Sequence, residues 1–445
     1  MDNTSIKKFP VGGTHLPEEK ELTTHVAITP LPVPAEVLIP LKQHLGASVE
    51  PDVKVGDRVR RGDVLGHRIQ TGIRAIVHSS VTGEVLGFED APMPDGSTVH
   101  AVRIRPDQSA QTEETLMKPL DLEGLSPQDY RAAVIARVEE AGIVGLGGAT
   151  FPTHIKLGLE DPVDTVVING AECEPYITVD DRLMQERADA VFRGLEIVRR
   201  TVGAQRGIVA CEINKPDALR KIREMAENFP HIEAQALDTR YPHGAEKHLI
   251  KAVLDREVPL RALPSSVGVL VNNVQTVIAI AEAVDTGRPL THRVVTVSGH
   301  GVVEPKNLLV PVGATIGDAI DFCGGDAVTD PVIVVGGPMT GLEISNRAIP
   351  MTKATGGIVL LTTEEHAGNV HMACINCGKC VEVCPMYLPP SRMTAYVNAN
   401  MLEEATNAGL HACILCGACQ FVCPSKRPLV EWIKKGRSLV SPVRR

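Results

Sequence analysis

Near the end of this chain, Cys374, Cys377, Cys380 and Cys384 precede Pro385, and the same spacing returns in Cys413, Cys416, Cys419 and Cys423 before Pro424. Each run reads C-x2-C-x2-C-x3-C-P, in which thiolates hold a [4Fe–4S] cluster and the fourth cysteine ligates the other cluster. Such an end must fold around two inorganic cores whose ligands come from both runs. By that rule one cluster takes Cys374, Cys377, Cys380 and Cys423, and the other takes Cys413, Cys416, Cys419 and Cys384. Structural zinc is expected as two C-x2-4-C pairs held apart by a finger or ribbon. A disulfide framework belongs to small chains in oxidising compartments. Between the runs, residues 393–410 read as helix stopped by Gly409, which favours a helical ferredoxin module over a compact two-hairpin one. The implied chemistry is one-electron transfer.

The length of 445 residues allows about three or four domains. Aromatic residues make up 3% and the formal net charge is -9, which together argue against base-stacking platforms and nucleic-acid partners. Cys173, Cys211 and Cys323 lie outside the runs and are expected as buried, reduced thiols. Oxygen-sensitive clusters and unpaired thiols point to a reducing compartment, the cytoplasm. The first ten residues contain no apolar signal core, so no signal peptide is expected. No stretch reaches the ~18 apolar residues of a membrane span.

The texture changes along the chain. Residues 1–110 are rich in Val, Gly, Pro and Asp with short alternations, and read as all-β. The stretches around 53–66 and 78–85 resemble the two strand-turn signatures of barrel-sandwich domains of the biotinyl/lipoyl type. Gln70, Thr71 and Gly72 stand where such a domain would carry its modified lysine, so this one is expected to dock rather than carry. Residues 115–290 alternate helices and strands, with helices near 131–141, 188–200, 216–229, 245–255 and from 276, and strands at 165–169 and 207–211. That pattern predicts a Rossmann-like α/β domain on a largely parallel sheet. Residues 291–363 form a small α+β unit, 364–430 the cluster module, and 431–445 a basic tail with Lys434, Lys435, Arg437, Arg444 and Arg445.

Residues 142–156 (GIVGLGGATFPTHIK) place four glycines between two helices. Glycines let backbone amides approach a phosphate closely, and a helix N-terminus adds partial positive charge. Alone this loop is a weak signal, because a dinucleotide fingerprint runs strand, loop, helix. It is followed by Val166-Val-Ile-Asn-Gly-Ala-Glu-Cys-Glu-Pro, Asp180-Asp-Arg-Leu-Met, Tyr241-Pro-His-Gly-Ala-Glu-Lys and Val271-Asn-Asn-Val-Gln-Thr. In that order and spacing these resemble the NADH- and FMN-binding flavoprotein subunit of respiratory complex I. With Gly12-Gly-Thr-His-Leu-Pro, the Asn214-Lys-Pro run and the two cysteine runs, the chain is more similar still to the RnfC subunit of Rnf (Rsx) electron-transport complexes.

The resemblance implies a β-grasp (SLBB-type) fold for 291–363 and an FMN and NAD(H) site in 115–290. By it, Gly145, Gly147 and Gly148 would form the phosphate loop, with Lys156 as cationic partner. Asn169, Asn272, Asn273 and Thr276 would hold the flavin, and Glu174 and Glu246 would face the nicotinamide nucleotide. On residues alone, Asn272 and Asn273 are equally suited to capping the helix that starts at Val274, and Glu174 to being a solvated loop acid. Ala171 and Cys173 depart from the complex I pattern on the ribose side. The implied protein is a peripheral subunit on the cytoplasmic side of the inner membrane. It would oxidise NADH through FMN and two [4Fe–4S] clusters and exchange electrons with partner subunits, including a ferredoxin-like one, in an ion-translocating complex. Alternatives are a soluble flavin and iron–sulfur reductase, such as a cobalamin reductase, and an electron-relay adaptor without flavin.

Overall fold

The computed structural model describes residues 5–366 and 371–440; Arg444 and Arg445 of the basic tail lie outside them. In the first unit, strands Val37–Pro40, Thr98–Pro106, Gly83–Pro92 and Arg58–Val59 form one antiparallel sheet. Glu50–Pro51, Val64–Arg68 and Val77–His78 form a second, smaller sheet. The two close on a shared core that includes Ile39, Leu65, Val81 and Ile104, the sandwich expected of alternating apolar residues.

The central unit is built on four parallel strands in the order Ile232–Leu237, Arg206–Glu212, Thr165–Gly170, Val269–Asn273. Thr165–Gly170 comes first in the chain. The next two strands are added to one side of it and the last to the other. The sheet therefore has a switch point between Thr165–Gly170 and Val269–Asn273, and in open α/β sheets ligands bind beyond the carboxyl ends of strands at such a point. Both strands end there in or beside asparagine, with Asn169 paired in register with Asn273. Helices Ala188–Val202 and Val274–Asp285 pack on each other and on one side of the sheet, burying Phe192, Leu195, Val277 and Ile280. Three elements escaped the sequence reading: helix Val179–Glu186, strand Val269–Asn273, and strand Ile232–Leu237, whose Glu233 and Gln235 dilute the apolar signal.

The third unit matches the expected α+β segment, a mixed sheet of strands His292–Ser298, Lys306–Pro311, Val332–Val335, Leu342–Ile344 and Gly357–Leu361 with helix Ile316–Phe322. Its edge is completed by Thr29–Pro30 from far upstream, pairing in parallel with Leu308 and Leu309. The boundary near residue 110 thus does not contain everything before it.

The terminal module is helical as expected, with Met393, Val397, Leu410 and Ile433 in its core. The single helix predicted between the cysteine runs is instead two, Pro390–Asn398 and Leu402–Asn407. The break comes at Asn400, whose φ of 58° no continuing helix accepts. Residues 7–15 tie this module to the central unit. Gly13 N donates to Val383 O at 2.9 Å, Thr14 N to Tyr241 O at 2.8 Å, and Phe9 stacks on His248, whose Nε2 lies 3.0 Å from Pro385 O. Among the described residues no helix is long and apolar enough to cross a membrane.

Candidate functional site

A cavity of about 630 Å3 opens at the switch point of the central sheet. Gly145, Gly147, Gly148, Lys156, Asn169, Glu174, Glu246, Asn272, Asn273 and Thr276 all line it. The strand ends and the glycine loop thus bring together residues that lie far apart in the chain.

The loop sits between helices Pro127–Glu140 and Thr153–Leu157. It is closed on itself by Gly145 N to Phe151 O at 2.9 Å and Thr150 N to Gly145 O at 3.2 Å. Thr276 already has a partner in the protein; its buried hydroxyl accepts from Leu146 N at 2.9 Å and docks the loop on helix Val274–Asp285. Arg293, from the third unit, donates to Leu146 O at 3.2 Å. A Cβ on Gly147 would lie 3.2 Å from Asn273 Cβ, so a side chain there would crowd the strand end.

The asparagines divide their work. Asn273 is the N-cap of its helix, accepting from Gln275 N at 2.9 Å, and its amide donates to Asp180 at 2.7 Å. Asn169 donates to Gly244 O at 2.8 Å and accepts from Ala171 N at 3.2 Å. Asn272 is 5% exposed and its Nδ2 is buried without a partner among the described residues. Buried donors are nearly always paired, so this one is a place for a ligand acceptor. The capping role holds for Asn273, not for Asn272.

The electrostatics are set by burial. Lys156 is held below the ordinary lysine range by desolvation; its ammonium donates to Val271 O and lies 3.7 Å from Glu246. Asp180 and Glu172, which sequence reasoning did not single out, also line the cavity. Burial raises Asp180 to about 6 and Glu172 to about 8, the latter against the pull of Lys20. Glu172 accepts from Asp180 N at 2.6 Å and Asp181 N at 3.1 Å, so it caps the start of helix Val179–Glu186. Glu174 lines the wall, but its carboxylate is engaged by the third unit, accepting from Met339 N at 3.0 Å and from the Thr340 hydroxyl. Of the three cysteines outside the runs, Cys211 and Cys323 are buried as expected. Cys173 is at the cavity wall instead, its Sγ accepting from Gly244 N at 3.4 Å.

Cys374, Cys377, Cys380 and Cys423 surround one cavity of the terminal module, and Cys384, Cys413, Cys416 and Cys419 another. All eight are free thiols. Among the described residues, no three candidate ligands converge closely enough to hold a single metal ion. Thiols spread around a cavity are what a multi-iron core needs, one to each iron. Backbone amides already aim at the sulfurs: Asn376 N at Cys374, 3.4 Å; Leu388 N at Cys384, 3.3 Å; Leu415 N at Cys413, 3.4 Å. Burial pushes Cys416 up to about 11, and coordination to a cation would favour its thiolate. The donor set fits two [4Fe–4S] clusters.

Cys416 belongs to both places. It lines the inner cluster cavity and the wall of the large cavity, and Tyr241, on the same wall, donates its hydroxyl to Cys416 O at 2.6 Å.

Four domain families match in sequence order: the RnfC barrel sandwich hybrid domain over 8–109, the Nuo51 FMN-binding domain over 138–282, the SLBB domain over 294–343 and a 4Fe-4S dicluster domain over 371–427. The chain is 41% identical over 438 residues to the C-subunit of the Na(+)-translocating ferredoxin:NAD(+) oxidoreductase complex of Acetobacterium woodii, covering 98% of this chain and 97% of that one. It is 39% identical over 396 residues to the proton-translocating counterpart of Clostridium ljungdahlii, covering 88% and 85%. It is 42% identical over 425 residues to the C-subunit of the ion-translocating oxidoreductase complex of Rhodobacter capsulatus, covering 94% and 81%. Among solved structures, an NAD+-reducing [NiFe]-hydrogenase in the air-oxidized state aligns with a TM-score of 0.50 at 19% identity, over 73% of this chain and 69% of that one, a likeness of fold.

Proposed function

The chain belongs to the RnfC family of ion-translocating oxidoreductase subunits, and we propose that it carries electrons between NAD(H) in the large cavity and the two clusters of its terminal module, through FMN. FMN held in this cavity would supply the conversion between a two-electron donor and one-electron clusters. The observation that carries the reading is Cys416, a wall residue of both the nucleotide cavity and the inner cluster cavity.

The chain's residues divide the remaining tasks. Gly147 and Gly148 offer backbone amides to phosphate without side chains in the way, while the Gly145 amide closes the loop on Phe151 O. Asn272 offers its unpaired amide nitrogen to a flavin acceptor, while Asn169, Asn273 and Thr276 keep the strand ends and loop in place around it. Lys156 brings positive charge to the wall and Glu246, beside it, a carboxylate suited to ribose hydroxyls and unsuited to an extra phosphate. The inner cluster takes Cys384, Cys413, Cys416 and Cys419, and the outer one Cys374, Cys377, Cys380 and Cys423.

The partners are the other subunits of the complex, a ferredoxin-like subunit among them. Because ion translocation needs membrane subunits and no described helix spans a membrane, we assign this chain a peripheral seat on the cytoplasmic face of the inner membrane. The test is an anaerobic titration of purified protein with NADH, followed by flavin absorbance and by the electron paramagnetic resonance of the clusters. Both should be reduced in turn. A flavin that bleaches while both clusters stay oxidised rejects the route through Cys416.

A further inference from the structure

Glu174 stands on the nucleotide cavity, yet its carboxylate is turned to a neighbouring turn of the third unit. Its two oxygens accept from Met339 N and the Thr340 hydroxyl, and a side chain on Gly337 would overlap the carboxylate, so turn and acid are packed without slack. The backbone of Glu174 is itself pinned, since Lys20 Nζ donates to the carbonyls of Glu172, Glu174 and Ile177 at 2.9, 2.9 and 2.6 Å. On its far side the turn meets the cluster module. Met339 O lies where a Cβ on Gly417 would come within 2.9 Å of it, and Gly417, with φ of 80°, directly follows Cys416. The Cys416–Gly417 backbone thus has the Tyr241 hydroxyl bonded to Cys416 O on one side and Met339 O packed beside Gly417 on the other.

We propose that Glu174 is a positioning residue for the inner cluster: its carboxylate fixes the 337–340 turn, and the turn fixes the Cys416–Gly417 loop that carries a cluster ligand. This rests on the cluster reading above and changes the role that resemblance suggests for Glu174, from nucleotide ligand to brace. The surroundings of cluster sulfurs set their potential, and a loop released from its brace changes those surroundings.

The test compares Glu174→Ala with Glu174→Gln in the intact, anaerobically loaded protein. Gln keeps an acceptor for Met339 N and can donate to Thr340, whereas Ala keeps neither. Expected for Ala are normal iron and flavin, a shifted midpoint potential for one cluster only, and amide exchange at 415–419 about tenfold faster. Gln should resemble wild type in both readings, and the KM for NADH should hold in both variants. If the Ala variant folds poorly, Thr340→Val removes one of the two bonds alone and should shift the same potential in the same direction. Unmoved potentials and unmoved exchange, with a raised KM for NADH in both Glu174 variants, overturn the proposal and return Glu174 to the nucleotide. Wild-type protein that holds no iron overturns the functional reading itself, a result distinct from either.

Discussion

Replacing Asn272 by Leu tests the flavin site where the structure is most specific. The two side chains are similar in size, and Asn272 lies at the carboxyl end of strand Val269–Asn273, buried, with an amide nitrogen that finds no acceptor among the described residues. An unpaired buried polar group costs ~1–3 kcal/mol. The flavin-free protein bears that cost, and a bound flavin acceptor removes it. Leucine should therefore leave the flavin-free protein as stable as wild type or more so, while FMN binding weakens by about 5- to 150-fold, the affinity equivalent of the same energy. Fluorescence titration of FMN into stripped protein gives the affinity, and thermal unfolding of the same stripped samples gives the stability. A variant that melts lower without flavin and binds FMN like wild type would mean that the amide supports the strand end and nothing else.

The cavities make a sharp statement about ligands: Cys423→Ser should remove the same cluster as Cys380→Ser, and Cys384→Ser the same one as Cys416→Ser, read by iron content and paramagnetic resonance; loss of one common cluster from Cys423→Ser and Cys413→Ser contradicts it. Gly147→Val, pressed against Asn273, should lose flavin on purification while retaining iron, and a variant with normal flavin content makes the loop a mere turn. Lys353 is buried where three units meet, donating to Ile76 O at 3.0 Å and Gly142 O at 2.7 Å, and burial lowers it to about 7. Between that value and the 10.5 of an exposed lysine, the unfolded chain binds a proton that the folded one does not, so its contribution to stability rises with pH across that window. The Tm of wild type should accordingly gain on that of Lys353→Met as the pH is raised from about 6.5 to about 9, and a constant difference refutes the titration.

The grouping of the eight cysteines around two cavities was legible because thiolate spacing is itself the chemistry, and the order of units because each has its own periodicity. The glycine loop was legible only in company, since four glycines between helices are first of all a turn. Periodicity carries no information about which cysteine would face the flavin; Cys416 is distinguished by the packing of Tyr241 and Met339 against its loop, contacts from residues far upstream. Nor did Glu172 and Asp180 declare themselves, because their raised protonation comes from burial at the cavity wall. Glu174 shows the opposite case, a residue whose place was foreseen and whose partners were not. The helix between the cysteine runs was overextended because Asn400 looks like any polar helix residue until its neighbours force the chain around.

The two-residue strand Thr29–Pro30 finds its partner roughly 280 residues later, at Leu308 and Leu309, and Lys7 bridges to Leu237. At ~5–20 residues per second of synthesis, the start of the chain waits about 15 to 55 seconds for the edge it completes. Within that interval the leading segment, a ribbon with Phe9 and the Gly12–Gly13 turn, meets its partners Leu237, Asp238 and Tyr241 before Leu308 arrives. The ribbon ends against Val383 and beside Cys384, so the last element to be sealed is the one next to the inner cluster. Val383 and Cys384 precede Cys413, Cys416 and Cys419 in the chain, so the seat of the ribbon is delivered before the ligand set of the inner cluster is complete.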